Sequence, residues 1–240
     1  MIQFAKMKLT VIIPAYNEEK TIAVVLKKVA ANKLVKEIIV VNDGSTDKTR
    51  FRIADSSGFQ QRFKKLKIIN KKNNEGKGAA IRDAVKIATG DVFIIQDADL
   101  EYNPNEYRLV LGPILDKKAD VVFGSRFVGN QPHRVLYFWH YVGNKIITLL
   151  ANLLTNLNLT DMETCYKAFT KEVAHKLDLQ EKRFGFEPEF TIKVAQMKMR
   201  IYEVGVSYSG RSYAEGKKIG WKDGFITLWC LVKYSSFLKK

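Results

Sequence analysis

The sequence is short of the residues on which much signature enzyme chemistry depends. Its two cysteines, Cys165 and Cys230, form no Cys-x-x-Cys pair, so a disulfide framework and a cysteine metal site are both excluded and a reduced, cytoplasmic setting is expected. Its three histidines, His133, His140 and His175, are not spaced as zinc ligands and stand in no triad context. No Gly-x-Gly-x-x-Gly follows the first apolar run, which continues as Ala15-Tyr-Asn-Glu-Glu19, and no Gly-Lys is followed by Ser or Thr. Dinucleotide and P-loop sites are thereby set aside. Long hydrophobic runs are missing too. Residues 141–159 are interrupted by Asn144, Lys145, Asn152 and Asn156, residues 225–232 are too few, and nothing spans a bilayer by itself. The seven residues before Lys8 cannot hold the apolar core of a secretory signal.

Acidic residues are outnumbered: 25 Asp and Glu face 40 Lys and Arg, a net charge of +15 that favours anionic partners. The basic clusters at residues 62–77 and 211–240 match no nucleic-acid-binding motif, so lipid headgroups or sugar nucleotides are expected instead. A hydrophobic content of 46% with 27% charged residues is that of a globular chain. We divide it into a catalytic domain over 1–210 and, over 211–240, a mobile basic loop with an amphipathic helix suited to a membrane interface.

What is present is a regular alternation. Apolar runs at residues 9–14, 37–41, 66–70, 92–95 and 120–126 read as buried strands, with helical spacing between them, as at Ile22, Val25, Leu26 and Val29. Such a chain forms a mainly parallel sheet flanked by helices, an α/β fold whose ligands lie beyond the carboxyl ends of the strands. At those ends stand Tyr16 and Glu18, Asp43, Asn74 and Lys77, Asp97 and Asp99, and Arg126. Asp97, Asp99 and Glu101 alternate, so extended geometry would put them on one face, where a hard Mg²⁺ or Mn²⁺ ion could relieve their repulsion. Ser45 or Thr46 is the expected cap of the helix after the second strand. From Ile146 to Leu157 a leucine-rich stripe follows helical spacing.

Pro14-Ala-Tyr-Asn-Glu18, Asn42-Asp-Gly-Ser-Thr-Asp47, Asn74-Glu-Gly-Lys-Gly78, Gln96-Asp-Ala-Asp-Leu-Glu101 and Gly124-Ser-Arg126, in this order, resemble the inverting family 2 glycosyltransferases of GT-A fold, and among them the polyprenyl-phosphate glycosyltransferases. The likeness extends through Asp161-Met-Glu-Thr-Cys-Tyr-Lys167, Phe186-Glu-Pro-Glu189 and Arg211. It implies transfer of a hexose, mannose or glucose, from GDP or UDP to a polyprenyl phosphate. Pro14, Tyr16 and Glu18 would contact the nucleotide, and Asp43 and Asp97 would hold base and ribose. Asp99 and Glu101 would bind the divalent ion, Lys77 would contact the nucleotide sugar, and Arg211, with Lys217 or Lys218, would close over the phosphates.

Arg126, with Arg134 as its counterpart further on, would position the acceptor phosphate. An anionic acceptor needs no base; a hydroxyl acceptor on a glycan or protein would need one, for which Asp161 and Glu163 are the candidates. The resemblance also implies peripheral association with a membrane surface, through the basic tail or a membrane-embedded partner subunit. A subunit that binds nucleotide or membrane without catalysis is the contrasting reading, and the intact acidic cluster speaks against it.

Overall fold

A computed structural model describes residues 7–55, 66–129, 131–135, 137–216 and 221–235. Seven strands form one sheet. β1 (Leu9–Ala15), β2 (Val35–Asn42), β3 (Leu66–Asn70) and β4 (Val92–Ile95) run parallel; β5 (Val121–Ser125), β6 (Lys167–Thr170) and β7 (Ile201–Gly205) complete the order β3-β2-β1-β4-β6-β5-β7. β6 is antiparallel to both β4 and β5 and restores the parallel direction on its far side. β1 lies at the centre of the parallel half, and Leu9 through Ile13 are wholly buried because helices cover both faces.

The helices follow the apolar spacing. α1 (Ile22–Ala31) buries the four residues its periodicity marks, Ile22, Val25, Leu26 and Val29. α2 (Thr49–Asp55) is capped neither by Ser45 nor by Thr46: Asp47 Oδ1 accepts the Thr49 N–H at 2.9 Å, closer to the helix start. α3 (Lys77–Ile87) begins after Gly76, whose φ of 99° brings its backbone against Lys182 and Arg183, where a Cβ would clash. Pro104 opens a 3₁₀ turn (Pro104–Glu106) that leads into α4 (Tyr107–Leu115).

The second half packs around a satellite core. α5 (Phe138–Thr155), α7 (Phe186–Gln196) and α8 (Trp221–Tyr234) meet through Ala151, Met162, Ile192, Cys230, Leu231 and Tyr234, while α6 (Lys171–Lys176) follows β6 directly. Among the described residues the segment after 210 thus has no core of its own. Part of the leucine stripe of α5 faces outward: Thr148 and Ala151 are buried and Leu154 packs on the satellite core, whereas Leu149 and Leu153 are 58% and 72% exposed. α8 likewise leaves Phe225 and Trp229 exposed. No described helix is long and apolar enough to cross a membrane.

Buried Glu37 ties the parallel half together. It accepts from Thr10 Oγ1 at 2.6 Å, from Thr89 N at 2.8 Å and Oγ1 at 3.0 Å, and pairs with Lys67 at 2.8 Å. Burial pushes its carboxyl up, but Lys67, Thr10 and Thr89 together hold it below the ordinary 4.5, so its stabilisation is complete above that value and is lost as pH falls through the depressed one. Glu37→Ala is expected to lower the unfolding free energy at pH 7 by about 1.5–3 kcal/mol. In urea melts the gap from wild type should narrow as the pH is lowered below 4.5.

Candidate active site

The carboxyl ends of β1, β2 and β4 and the start of α3 enclose a cavity of about 410 Å³. Its walls are fixed by cross-links between loops. After β1 the chain turns at Asn17, φ 51°; its N–H donates to Ser45 Oγ at 3.1 Å, and its side-chain oxygen accepts the Thr46 N–H at 2.9 Å. Glu18 is anchored by its N–H to Thr49 Oγ1 at 2.7 Å. Asp43 accepts the N–H groups of Glu75, at 3.1 Å, and Gly76, at 2.6 Å. This joins the loop after β2 to the start of α3. Gly44 makes the approach possible: its φ is 68°, and a Cβ there would lie 2.5 Å from the Asn73 carbonyl carbon.

The acidic segment differs from its alternating pattern. β4 ends at Ile95, and residues 98–102 form turns and bends rather than continuing the strand. Leu100 takes φ 66°, and Asp99 Oδ1 accepts the Glu101 N–H at 3.1 Å. Asp residues bond their following backbone in this way, which outweighs strand propagation once the β4 ladder ends. The three acids converge through the turn.

Two cations answer them. Lys77 Nζ lies 2.9 Å from both Asp97 Oδ1 and Glu187 Oε1. Burial alone would lower the Lys77 ammonium, yet Asp97 and Glu187 keep it well above the ordinary lysine range, and Lys77 in turn keeps the Asp97 carboxyl low against its own burial. Arg211 reaches Asp99 at 3.0 Å, Glu18 at 3.2 Å and Glu101 at 3.3 Å. Even so, burial followed by Asp97 and Glu101 pushes the Asp99 carboxyl up to about 8, with Arg211 opposing. Glu101 also accepts from the Tyr208 hydroxyl at 2.8 Å and the Arg211 N–H at 2.9 Å.

Among the described residues no three His, Cys, Asp or Glu side chains are grouped closely enough to hold an ion by themselves. The donor chemistry nevertheless fits one. Asp99 and Glu101 are hard oxygen ligands crowded enough to protonate one of their number, and a divalent ion with phosphate oxygens filling its remaining positions suits that arrangement.

Arg126 stands at the end of β5. Its Nε and Nη2 donate to Asp161 Oδ2 and Oδ1, both at 2.7 Å, and its N–H to Oδ2 at 3.0 Å. Asp161 is completely buried, and Arg126 overcomes that burial to hold its carboxyl low. As a base for a hydroxyl acceptor Asp161 is therefore ill placed, since both its oxygens are engaged and it binds a proton poorly. What it does is aim Arg126, whose guanidinium also lies over the Tyr208 ring at 5.1 Å. Glu203 holds the Asp161 loop from β7, accepting the N–H groups of Thr160 at 2.9 Å and Asp161 at 3.2 Å.

Arg126 and Tyr208 also border a second cavity of about 410 Å³, lined by Phe127, Tyr137, Phe138 and Tyr141. Arg134 lines it as well, bonded to Glu215 at 2.7 Å and to the Gly210 carbonyl at 3.1 Å. Of the residues singled out in sequence, Pro14, Tyr16, Glu18, Asp43, Lys77, Asp97, Asp99, Glu101, Arg126 and Arg211 line the first cavity. Asp161 lies behind Arg126, Arg134 belongs to the second cavity, and Lys217 and Lys218 fall outside the described residues. Sequence reading missed Tyr208 and the pairing of Glu187 with Lys77. Neither carries a local signal, because both are brought in by distant elements.

If Arg211 and a divalent ion compete for one set of carboxylates, Arg211→Ala should bind Mn²⁺ or Mg²⁺ more tightly in the absence of nucleotide. In thermal melts the variant starts below wild type and gains more from millimolar Mn²⁺; equal gains would show that Arg211 and the ion do not share the cluster.

The sequence profile described as glycosyl transferase family 2 matches residues 10–178. An uncharacterised protein of Methanocaldococcus jannaschii is 28% identical over 237 residues, covering 97% of this chain and 94% of that protein. The undecaprenyl-phosphate mannosyltransferase of Micrococcus luteus is 27% identical, covering 89% and 88%. The dolichol-phosphate mannosyltransferase of Pyrococcus furiosus is 28% identical over 89% of this chain, which spans 60% of that longer protein. In fold, the chain is similar to glucosyl-3-phosphoglycerate synthase from Mycobacterium tuberculosis, crystallised with Mn²⁺, UDP and glucosyl-3-phosphoglycerate, with a TM-score of 0.76 at 20% identity over 98% of this chain and 82% of that one. With its profile covering most of the sheet, the chain belongs to glycosyl transferase family 2 and has the GT-A fold.

Proposed function

We propose that the protein transfers a hexose, mannose or glucose, from GDP or UDP to a polyprenyl phosphate with inversion, at the cytoplasmic face of a membrane. One observation carries this reading: Arg126, fixed by Asp161, borders both cavities. The first cavity takes the nucleotide sugar. Pro14, Tyr16 and Glu18 flank the nucleotide, and Asp43 and Asp97 hold base and ribose. Arg211 turns from the acidic cluster to the diphosphate, helped by Lys217 and Lys218. Asp99 and Glu101 would hold a Mg²⁺ or Mn²⁺ ion, which when bound neutralises charge on the departing nucleoside diphosphate. The names of polyprenyl-phosphate mannosyltransferases among the relatives support the acceptor, and Mn²⁺ with UDP in the similar fold supports the donor.

The second cavity suits a phosphate on an apolar chain. Arg126 and Arg134 supply cations, the walls are aromatic, and α5 leaves Phe138, Trp139, Leu149 and Leu153 exposed, as α8 does Trp229. Such a face with a basic protein around it matches a membrane surface, reached directly or with a membrane-embedded subunit. Asp161 is spent on Arg126, which argues against its serving as the base for a hydroxyl acceptor, and burial, with Glu187 next, pushes the Glu163 carboxyl up to about 8, toward its protonated form. A phosphate acceptor is itself the anionic nucleophile, and the protein's task is to position it.

Incubation of radiolabelled GDP-mannose or UDP-glucose with polyprenyl phosphate and Mg²⁺ should move label into an organic-extractable, acid-labile product. Asp99→Ala should abolish this, by at least about 10²-fold, with an unchanged circular dichroism spectrum. Label transferred only to an added glycan would refute the lipid acceptor, and full activity of Asp99→Ala would refute the assigned role of that carboxylate.

A further inference from the structure

Two polar atoms of the first cavity's lining residues remain unused by these contacts. Glu187, in the first turn of α7 and 4% exposed, gives Oε1 to Lys77 at 2.9 Å, whereas its Oε2 is buried with no hydrogen-bond partner. Glu163, on the loop between α5 and β6, has Oε1 buried in the same condition. The nearby cation Lys167 does not serve them: its ammonium donates to the carbonyls of Met162, at 3.0 Å, and Thr164. Each unpaired buried oxygen lowers the stability of the fold, because its desolvation is not repaid by a hydrogen bond. Two of them on residues lining one cavity point to a ligand that completes both.

The charges around them narrow its chemistry. Glu163 is faced by Glu187 from α7, Lys167 from β6, Arg126 from the end of β5 and Asp161 on its own loop; Lys77 of α3 links Glu187 to Asp97 beyond β4. Burial first and Glu187 next push the Glu163 carboxyl up to about 8, against Lys167 and Arg126. Glu163 is thus pushed toward its protonated, hydrogen-bond-donating form, while Glu187 already accepts from Lys77. Phosphate oxygens only accept, and would add negative charge beside Glu187. Sugar hydroxyls both donate and accept, and the Lys77 link places the pair next to the donor's side of the cavity.

We propose that Glu163 and Glu187 form the subsite that reads the ring hydroxyls of the transferred sugar, Glu163 donating and Glu187 accepting. This rests on the donor reading above. It also explains why two unpaired carboxyl oxygens persist in a packed interior: they lower the stability of the unliganded protein and are satisfied by the sugar.

The test is calorimetric titration with UDP, UDP-glucose, GDP and GDP-mannose in the presence of Mn²⁺, on wild type, Glu163→Met and Glu163→Gln. In Glu163→Met the affinity for the nucleoside diphosphate should stay within twofold of wild type, while that for the nucleotide sugar falls about tenfold. Its melting temperature should not fall, because an unpaired buried carboxyl has been removed. Glu163→Gln, which keeps a donor, should bind the nucleotide sugar as wild type does at pH 7. It should also lack the wild-type decline between pH 7 and 9, where Glu163 ionises and repels Glu187. Unchanged sugar affinity in Glu163→Met, or equal weakening of nucleotide and nucleotide sugar, would overturn the subsite. Wild type binding none of the four nucleotides would instead overturn the donor reading on which it rests.

Discussion

Repulsion among carboxylates crowded at one edge of the sheet is the constraint that organises this protein. Glu18, Asp97, Asp99 and Glu101 follow the ends of two adjacent strands and line one cavity. Each requires a cation supplied from elsewhere. Lys77 arrives from α3 and Arg211 from beyond β7, the latter reaching three carboxylates at once. The final third of the chain is therefore bound to the first by electrostatics as well as by packing. The same logic governs the opposite wall, where buried Asp161 is tolerable only because Arg126 meets both its oxygens.

This arrangement leaves the site poised between two sets of counterions. The Arg211 guanidinium meets the acidic cluster directly, and on the proposed reading a divalent ion with a diphosphate would take its place and release Arg211 for the phosphates. Burial raises the stakes, since it has already driven one carboxylate, Asp99, toward its protonated form. Arg126 plays a steadier part. Locked by Asp161 and bordering both cavities, it is fixed where the proposed donor and acceptor would meet.

Much of this was legible in the sequence because it depends on local periodicity. The uninterrupted apolar run of β1 demanded burial on both faces, the spacing of Ile22, Val25, Leu26 and Val29 gave the inner face of α1, and polar residues at successive strand ends marked the site. What was not legible depends on partners distant in the chain or on backbone geometry. Asp97 to Glu101 alternates like a strand, but the left-handed Leu100 and the Asp99 side chain turn it. Asp161 has the composition of a base and is spent on a residue 35 positions earlier. Leu149 and Leu153 of α5 follow a core pattern yet face outward, while Leu154 packs on the satellite core, because apolarity alone does not say which surface will cover a side chain.

The central claim is that the acidic edge and a nucleoside diphosphate share one divalent ion. It is tested most directly by titrating Mn²⁺ by electron paramagnetic resonance with and without saturating UDP or GDP. Shared coordination makes the two ligands reciprocal, so Mn²⁺ affinity should rise at least about tenfold with the nucleotide that the site accepts. Identical Mn²⁺ affinity with and without both nucleotides, in a protein that binds either of them, would contradict the account.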